Sequence, residues 1–179
     1  DYMEKCLTGR GDDIVPCIWC NKCHGTMMPP WISFCSVNPK LGIDPMLLKT
    51  LPTGGAKKKV AIVGGGPIGM RAAMMAAEQG HQVTLFEKTD YLGGQLRHSE
   101  YVSFKWPLRD YKDYLVRQLD KHGITVRMNT LATPELLEQE GWYQEALARR
   151  GAYVLFLDRR GGEDDTTIGI ARSIVNIYD

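Results

Sequence analysis

Val60-Ala61-Ile62-Val63-Gly64-Gly65-Gly66-Pro67-Ile68-Gly69 is the stretch from which the fold can be read. Four apolar residues in a row fit a strand buried on both faces. The glycines that follow match G-x-G-x-x-G. Each has a mechanical task. Gly64 allows a tight turn out of the strand. Gly66 lacks a Cβ, so a pyrophosphate can approach the backbone. Gly69 lets the next helix pack closely on the strand. Gly69 to Gln79 reads as that helix, closed by Gly80, with Met70, Ala73, Met74 and Ala77 on one face. Its N-terminus offers unpaired N–H groups and a partial positive charge of roughly half a unit. Gln82 to Glu87 is the second strand. Glu87 ends it 18 positions beyond Gly69, where a carboxylate meets adenosine ribose hydroxyls and repels a 2′-phosphate. The βαβ unit from Val60 to Glu87 is thus read as a holder for the ADP half of a flavin or nicotinamide cofactor.

Downstream, Gly93-Gly94 marks a loop. Pro107 to Lys121 is an amphipathic helix with Leu108, Tyr111, Leu115 and Leu119 on one face, ended by Gly123. Ile124 to Met128 is a third strand. Thr133-Pro134 caps and opens a helix reaching about Gln139. Gln144 to Arg149 is a further helical segment and Ala152 to Leu157 a strand. Strands alternating with helices predict an α/β fold, a Rossmann-like parallel sheet in a partial three-layer unit.

Upstream the character changes. Asp1 to Arg10 is a short helix, and Asp12 to Pro45 is irregular, interrupted by Pro29-Pro30. Met46 to Leu51 forms a helical turn, and Pro52 to Lys59 is a linker. All five cysteines fall before residue 36, a cluster that reads as a metal site in a reducing compartment. Cys17-Ile-Trp-Cys20-Asn-Lys-Cys23 is C-x2-C-x2-C, and Cys35 follows after eleven residues. Zinc and a [4Fe–4S] cluster both accept four thiolates. Three cysteines within seven residues lean toward the cubane, since structural zinc more often uses two separated pairs. Cys6 lies outside that spacing and reads as a packed thiol, and His24 as a surface residue or a support beside the metal ligands. This segment is expected to pack against one edge of the α/β unit. Trp31 and Phe34 are candidates for shielding the cluster from water.

Other residues have plainer readings. Lys57-Lys58-Lys59 is a solvated strand entry. Met27, Met28, Met70, Met74 and Met75 are packing residues. Arg71 either faces solvent or adds charge near the pyrophosphate. A net charge of +1 gives no reason to expect nucleic acid or an anionic membrane. No apolar run approaches about 18 residues, and the first ten residues have no signal-peptide core. The chain lacks an initiator Met and reads as a piece of a longer, cytoplasmic protein.

Taken in order, Cys17 to Cys23, Cys35-Ser-Val-Asn-Pro39, Lys59 to Met70, Leu85-Phe-Glu-Lys88 and Leu92-Gly-Gly-Gln-Leu96 resemble the C-terminal part of 2,4-dienoyl-CoA reductase and trimethylamine dehydrogenase. The old yellow enzyme-type ene-reductases of anaerobic bacteria share that layout. The resemblance covers roughly residues 1–141. It implies a three-part flavoprotein: a (β/α)8 barrel with FMN and a small-molecule substrate, a 4Fe-4S cluster, and a domain that takes hydride from NAD(P)H through FAD. Electrons then pass singly to FMN, which reduces an activated C=C bond of an enoate, enoyl-CoA or enone. By that resemblance Cys17, Cys20, Cys23 and Cys35 ligate the cluster. Gly64, Gly65, Gly66, Pro67, Gly69, Glu87, Lys88, Gly94 and Gln95 line the FAD site. Residues 1–11 are then the end of a barrel helix, 12–55 the cluster segment and linker, and 56–141 the FAD-binding domain. Residues 142–179 are an unassigned remnant.

The barrel is absent from this sequence, so no catalytic residue is assigned and the substrate stays open, as does NADH against NADPH. Homo-oligomerisation is compatible with the sequence. Residues 142–162 are too short for the family's nicotinamide domain, and Thr167 to Ser173 carries Ile170 where the closing strand calls for Asp. Two other readings compete: an amine dehydrogenase with bare ADP in the Rossmann-like site, and a non-enzymatic module binding zinc and a nucleotide.

Overall fold

The structure is a computed structural model that describes residues 2–24, 34–41 and 57–139, together with the backbone of a strand at 154–156. Chain order runs α1 (Tyr2–Leu7), β1 (Lys59–Val63), α2 (Pro67–Glu78), β2 (Gln82–Phe86), α3 (Trp106–Lys121), β3 (Thr125–Arg127), α4 (Pro134–Gln139) and β4 (Val154–Phe156), with 3-10 turns at Gly11–Asp13, Gly94–Tyr101 and Ser103–Lys105. The turn and helix expected at 46–51 and 144–149, the linker at 52–56, Met27, Met28, Pro29-Pro30, Trp31 and the 167–173 tail lie outside the described residues.

The four strands are parallel, in the order β3-β2-β1-β4. Ile62 stands opposite Leu85 in β2 and Leu155 in β4. Because β1 has β2 on one side and β4 on the other, the chain order reverses at β1. A crevice therefore opens at its carboxyl end, which is where open parallel sheets bind ligands. β4 lies within the expected strand at 152–157.

Alternate side chains of β1 and β2 go to opposite faces. Ile62 and Leu85 join Met70, Ala73 and Met74 of α2 and Tyr111, Tyr114, Leu115 and Leu119 of α3 in one core. Ala61 and Phe86 point the other way, onto Leu137 of α4. The result is the expected partial three-layer unit, with two helices on one face and one on the other among the described residues.

Helix boundaries follow from capping. α2 starts at Pro67, two residues before the expected Gly69, because Pro at the first helical position has its φ preset and no N–H to lose. Gly80 closes it at φ +84, where a side chain would be strained. On α3 the buried face carries Tyr114 and Gln118 beside Tyr111, Leu115 and Leu119, while Leu108 is only half-buried. Thr133 caps α4 as expected: its hydroxyl accepts from the Leu136 N–H at 3.2 Å. Three expectations need correcting. The Gly93-Gly94 region is not a plain loop, since residues 94–101 coil into a 3-10 turn. Met75 is 49% exposed rather than packed. Cys6 is exposed, because α1 buries none of its residues.

The cysteine-bearing segment reaches the helical layer. Val15, Ile18, Cys35 and Val37 pack against the core shared by α2 and α3. Gln118 donates from Nε2 to the Asp12 carbonyl at 3.1 Å, Lys121 pairs with Asp13, and Lys40 pairs with Glu78 at 3.0 Å. The exposed pairs are worth about 0–1 kcal/mol each, so apolar burial holds this segment in place.

Candidate dinucleotide and thiolate sites

Residues 64–66 leave the carboxyl end of β1 and lead straight into α2. Gly64 takes φ +106, which a side chain resists, and its N–H donates to the Phe86 carbonyl at 2.8 Å. A Cβ on Gly69 would run into the carbonyl oxygen of Gly64, so helix and turn touch there without room for a methyl group. Both glycines are explained by the fold.

Gly66 is not. Its φ of −72° suits any residue, and a Cβ there would meet nothing within 4 Å. As N-cap of α2 it supplies no side-chain hydrogen bond, although Ser, Thr, Asp or Asn would stabilise the helix by roughly a few tenths of a kcal/mol. The open space over Gly66 fits a group that needs close backbone approach. Beside it, the first N–H groups of α2 have no carbonyl within the helix to receive them. Helix end and open glycine together suit a pyrophosphate.

Glu87 follows β2 and is 8% exposed. Its backbone is tied to β3 by Glu87 N–H to Arg127 carbonyl at 2.9 Å. Oε2 accepts from the Gly65 N–H at 2.7 Å, and Oε1 accepts from the Thr89 N–H at 2.9 Å and hydroxyl at 2.8 Å. A carboxylate has about four acceptor positions, so roughly one remains for a ligand hydroxyl. Thr89 was not singled out from sequence; its one signal is a hydroxyl two residues after an acid, the spacing of a local side-chain turn.

The segment 91–101 runs as a strap against this glycine turn. The Gly93 N–H donates to the Gly65 carbonyl at 2.8 Å, and a Cβ on Gly94 would lie 3.2 Å from the Gly66 Cα. Gly64, Gly65, Gly66, Pro67, Gly69, Glu87 and Gly94 therefore come together. Lys88 and Gln95 flank them with exposed side chains. Arg71 is half-buried rather than solvent-facing: its Nε has no partner among the described residues, and its charge acts on Tyr111 and Tyr114.

The cysteine loop is built differently. Trp19 and Asn21 sit at φ +56 and +54, a region costly for side-chain-bearing residues, by about 1–3 kcal/mol. The turn aims the Trp19 N–H at Cys17 Sγ, 3.4 Å away, and Cys20 Sγ lies 3.3 Å from the Ser36 hydroxyl. The Ser36 hydroxyl and then the Lys22 backbone hold the Cys20 thiol below its ordinary pKa. The indole of Trp19 rests edge-on against Trp106 at 4.8 Å. Four thiols, two of them with hydrogen bonds to sulfur, are a donor set suited to zinc or an iron–sulfur cluster. Yet among the described residues no three Cys, His, Asp or Glu side chains converge on one point. Cys17 and Cys20 are exposed, Cys23 and Cys35 half-buried, and His24 is exposed as expected. Phe34, a candidate shield, is 54% exposed. Among the described residues no helix is long and apolar enough to cross a membrane.

Comparison with known proteins agrees with this geometry. A family described as FAD dependent oxidoreductase matches residues 59–119. The NADH oxidase of Thermoanaerobacter brockii is 38% identical over 141 residues, spanning 76% of this chain and 21% of that protein. The cinnamate reductase of Clostridium sporogenes is 34% identical over 149 residues, spanning 83% of this chain and 22% of that protein. A solved 2-naphthoyl-CoA reductase bound to 2-naphthoyl-CoA superposes with a TM-score of 0.73 at 30% identity, covering 92% of this chain and 24% of that one. The chain thus spans about a fifth of the length of the curated relatives it matches.

Proposed function

From the premise that this chain belongs to the 2,4-dienoyl-CoA reductase and trimethylamine dehydrogenase type of flavin-dependent oxidoreductase, we propose that it is the electron-transfer part of an NAD(P)H-dependent ene-reductase. The observation that carries the reading is Gly66, a glycine that neither backbone conformation nor packing requires, set at the open end of a parallel sheet. In this reading it receives the pyrophosphate of FAD.

The chain's own groups then have defined tasks. The first N–H groups of α2 and the bare Gly66 backbone hold the diphosphate. Glu87, oriented by Gly65 and Thr89, accepts a ribose hydroxyl and repels a 2′-phosphate. Gly94 and Gln95 in the strap close over the cradle and exclude water. Cys17, Cys20, Cys23 and Cys35 are the four ligands of a 4Fe-4S cluster, with the Trp19 N–H and the Ser36 hydroxyl supporting two of the sulfurs. Together FAD and such a cluster supply the exchange of a two-electron hydride for single electrons. The substrate, an enoate, enoyl-CoA or enone, and FMN belong to the barrel outside this chain. The names cinnamate reductase and 2-naphthoyl-CoA reductase among its relatives favour this class of acceptor.

Analysis of the full protein purified without oxygen tests the reading. Released nucleotide is identified by chromatography and metal by elemental analysis. FAD with about four irons per chain is the expected result. ADP without FAD moves the assignment to an amine dehydrogenase. Zinc without flavin moves it to a non-enzymatic module.

A further inference from the structure

Lys112 belongs to none of the motifs above, yet it sits where the cover of the nucleotide cradle is anchored. It lies on α3 with its side chain 12% exposed. Its ammonium group pairs with Glu100 and lies 3.2 Å from Asp113 Oδ1. It also stands 5.2 Å above the centre of the Tyr91 ring. The Tyr91 hydroxyl donates to the same Glu100 oxygen at 2.9 Å. One lysine therefore joins Tyr91, at the start of the strap, to Glu100, near its end.

The middle of the strap is what meets the glycine loop. Gly93 binds the Gly65 carbonyl, and Gly94 lies on Gly66. The stem of Lys112 also presses on the strap from behind: a Cβ on Gly93 would come within 2.8 Å of Lys112 Cγ and 2.9 Å of Cδ. Glycine loop, strap and lysine stem are stacked without slack. Burial alone would favour the neutral amine, but the hydrogen bonds that Lys112 donates to Glu100, Asp113 and Tyr91 outweigh it and raise the Lys112 pKa above that of an ordinary lysine.

From this stack we infer that Lys112 is a positioning residue for the dinucleotide site, clamping both ends of the 91–101 strap so that Gly93 and Gly94 stay closed over Gly65 and Gly66. It touches no ligand itself. Its effect falls on the rate at which a bound nucleotide leaves, because departure requires the strap to lift. Arrival at an already open cradle does not depend on the clamp. The inference rests on the nucleotide reading given above.

The test follows release of FAD from the FAD-loaded full protein, read as recovery of flavin fluorescence after dilution. Lys112→Met keeps most of the stem against Gly93 and removes the charge. Glu100→Gln removes the partner at an exposed position and serves if the first variant fails to fold. Both are expected to release FAD about tenfold faster, the scale of a lost charge-assisted hydrogen bond. Lys112→Arg should stay within about threefold of the parent, since it keeps the cation. The double variant should be no faster than either single one, because the two act through one contact. A folded Lys112→Met protein that keeps the parental release rate, even with a lowered melting temperature, overturns the inference and makes the lysine merely structural. Additive effects in the double variant overturn it too. A parent protein that retains no FAD overturns the nucleotide reading itself, an outcome distinct from a parent and variant that hold FAD equally.

Discussion

The two candidate sites in this chain are made of different material. The dinucleotide cradle is almost wholly backbone: Gly64 to Gly66, the start of α2 and one carboxylate fixed by Gly65 and Thr89. Its geometry is a by-product of a parallel sheet and a helix that pack for their own reasons. The thiolate loop is made of side chains, held by local turns at Trp19 and Asn21 and by apolar contacts of Val15, Ile18 and Val37. Thiols have no packing reason to meet; the shared cation is what draws such ligands together. A site built from backbone is therefore assembled by folding, whereas a site built from ligating side chains depends on what it binds.

That contrast can be pushed until it fails. The largest effect is expected at Gly69→Ala. The added methyl meets a backbone carbonyl that cannot rotate away, so unfolding in urea should show a loss of about 3 kcal/mol or more, with nucleotide binding lost as well. Gly66→Ala should behave in the opposite way. Stability should stay within about 0.5 kcal/mol or rise slightly, while FAD affinity measured by calorimetry drops about tenfold or more, equivalent to about 1.4 kcal/mol. Parental affinity in Gly66→Ala would remove the close-approach argument.

Trp106→Ala sharpens the other side. It removes the edge-on partner of Trp19, a contact worth about 1 kcal/mol. Faster loss of iron to a chelator is expected, with unchanged FAD affinity. Equal losses at both sites would show that the two regions are not independent.

The smallest effect concerns pH. Lys112, then Tyr91, hold the Glu100 carboxylate below its ordinary value of 4.5, so its contribution is present above pH 4.5 and is lost as pH falls through the lowered value. The Lys112 pKa is raised from 10.5, so its contribution is present below pH 10.5 and is lost as pH rises through the raised value. Burial, then the Glu100 hydrogen bond, keeps the Tyr91 proton in place above its ordinary 10.0. Arg109 and Asp113 are the other charges that act on this cluster. FAD release should therefore be flat between pH 5 and 10, within the bounds set by 4.5 and 10.5. A step near neutral pH would place control of the strap in some other group.

Much of the fold was legible because its signals are local. The apolar run at 60–63, the glycine spacing, Gly80 and Gly123 as helix stops, and Thr133-Pro134 as a helix start each act through backbone conformation within a few residues. The tilt of α3 toward Tyr114 and Gln118 was less legible, since its periodic apolar positions admitted Leu108 equally well. The 3-10 coil at 94–101 has no periodic apolar pattern to announce it. The half-burial of Arg71 was not legible because part of its surroundings comes from α3, about forty residues away.

Residue types and spacing along the chain were enough to name the βαβ unit, its acidic strand end and a set of four thiols, because each is a local requirement of backbone or ligand chemistry. Three dimensions were needed to show that Gly66 has free space and Gly69 none, that Glu87 has most of its acceptor capacity spent within the protein, and that Lys112 reaches Glu100, twelve residues upstream in the strap. Those facts concern which distant groups share a volume, and only the packing of helix, sheet and strap against one another decides that.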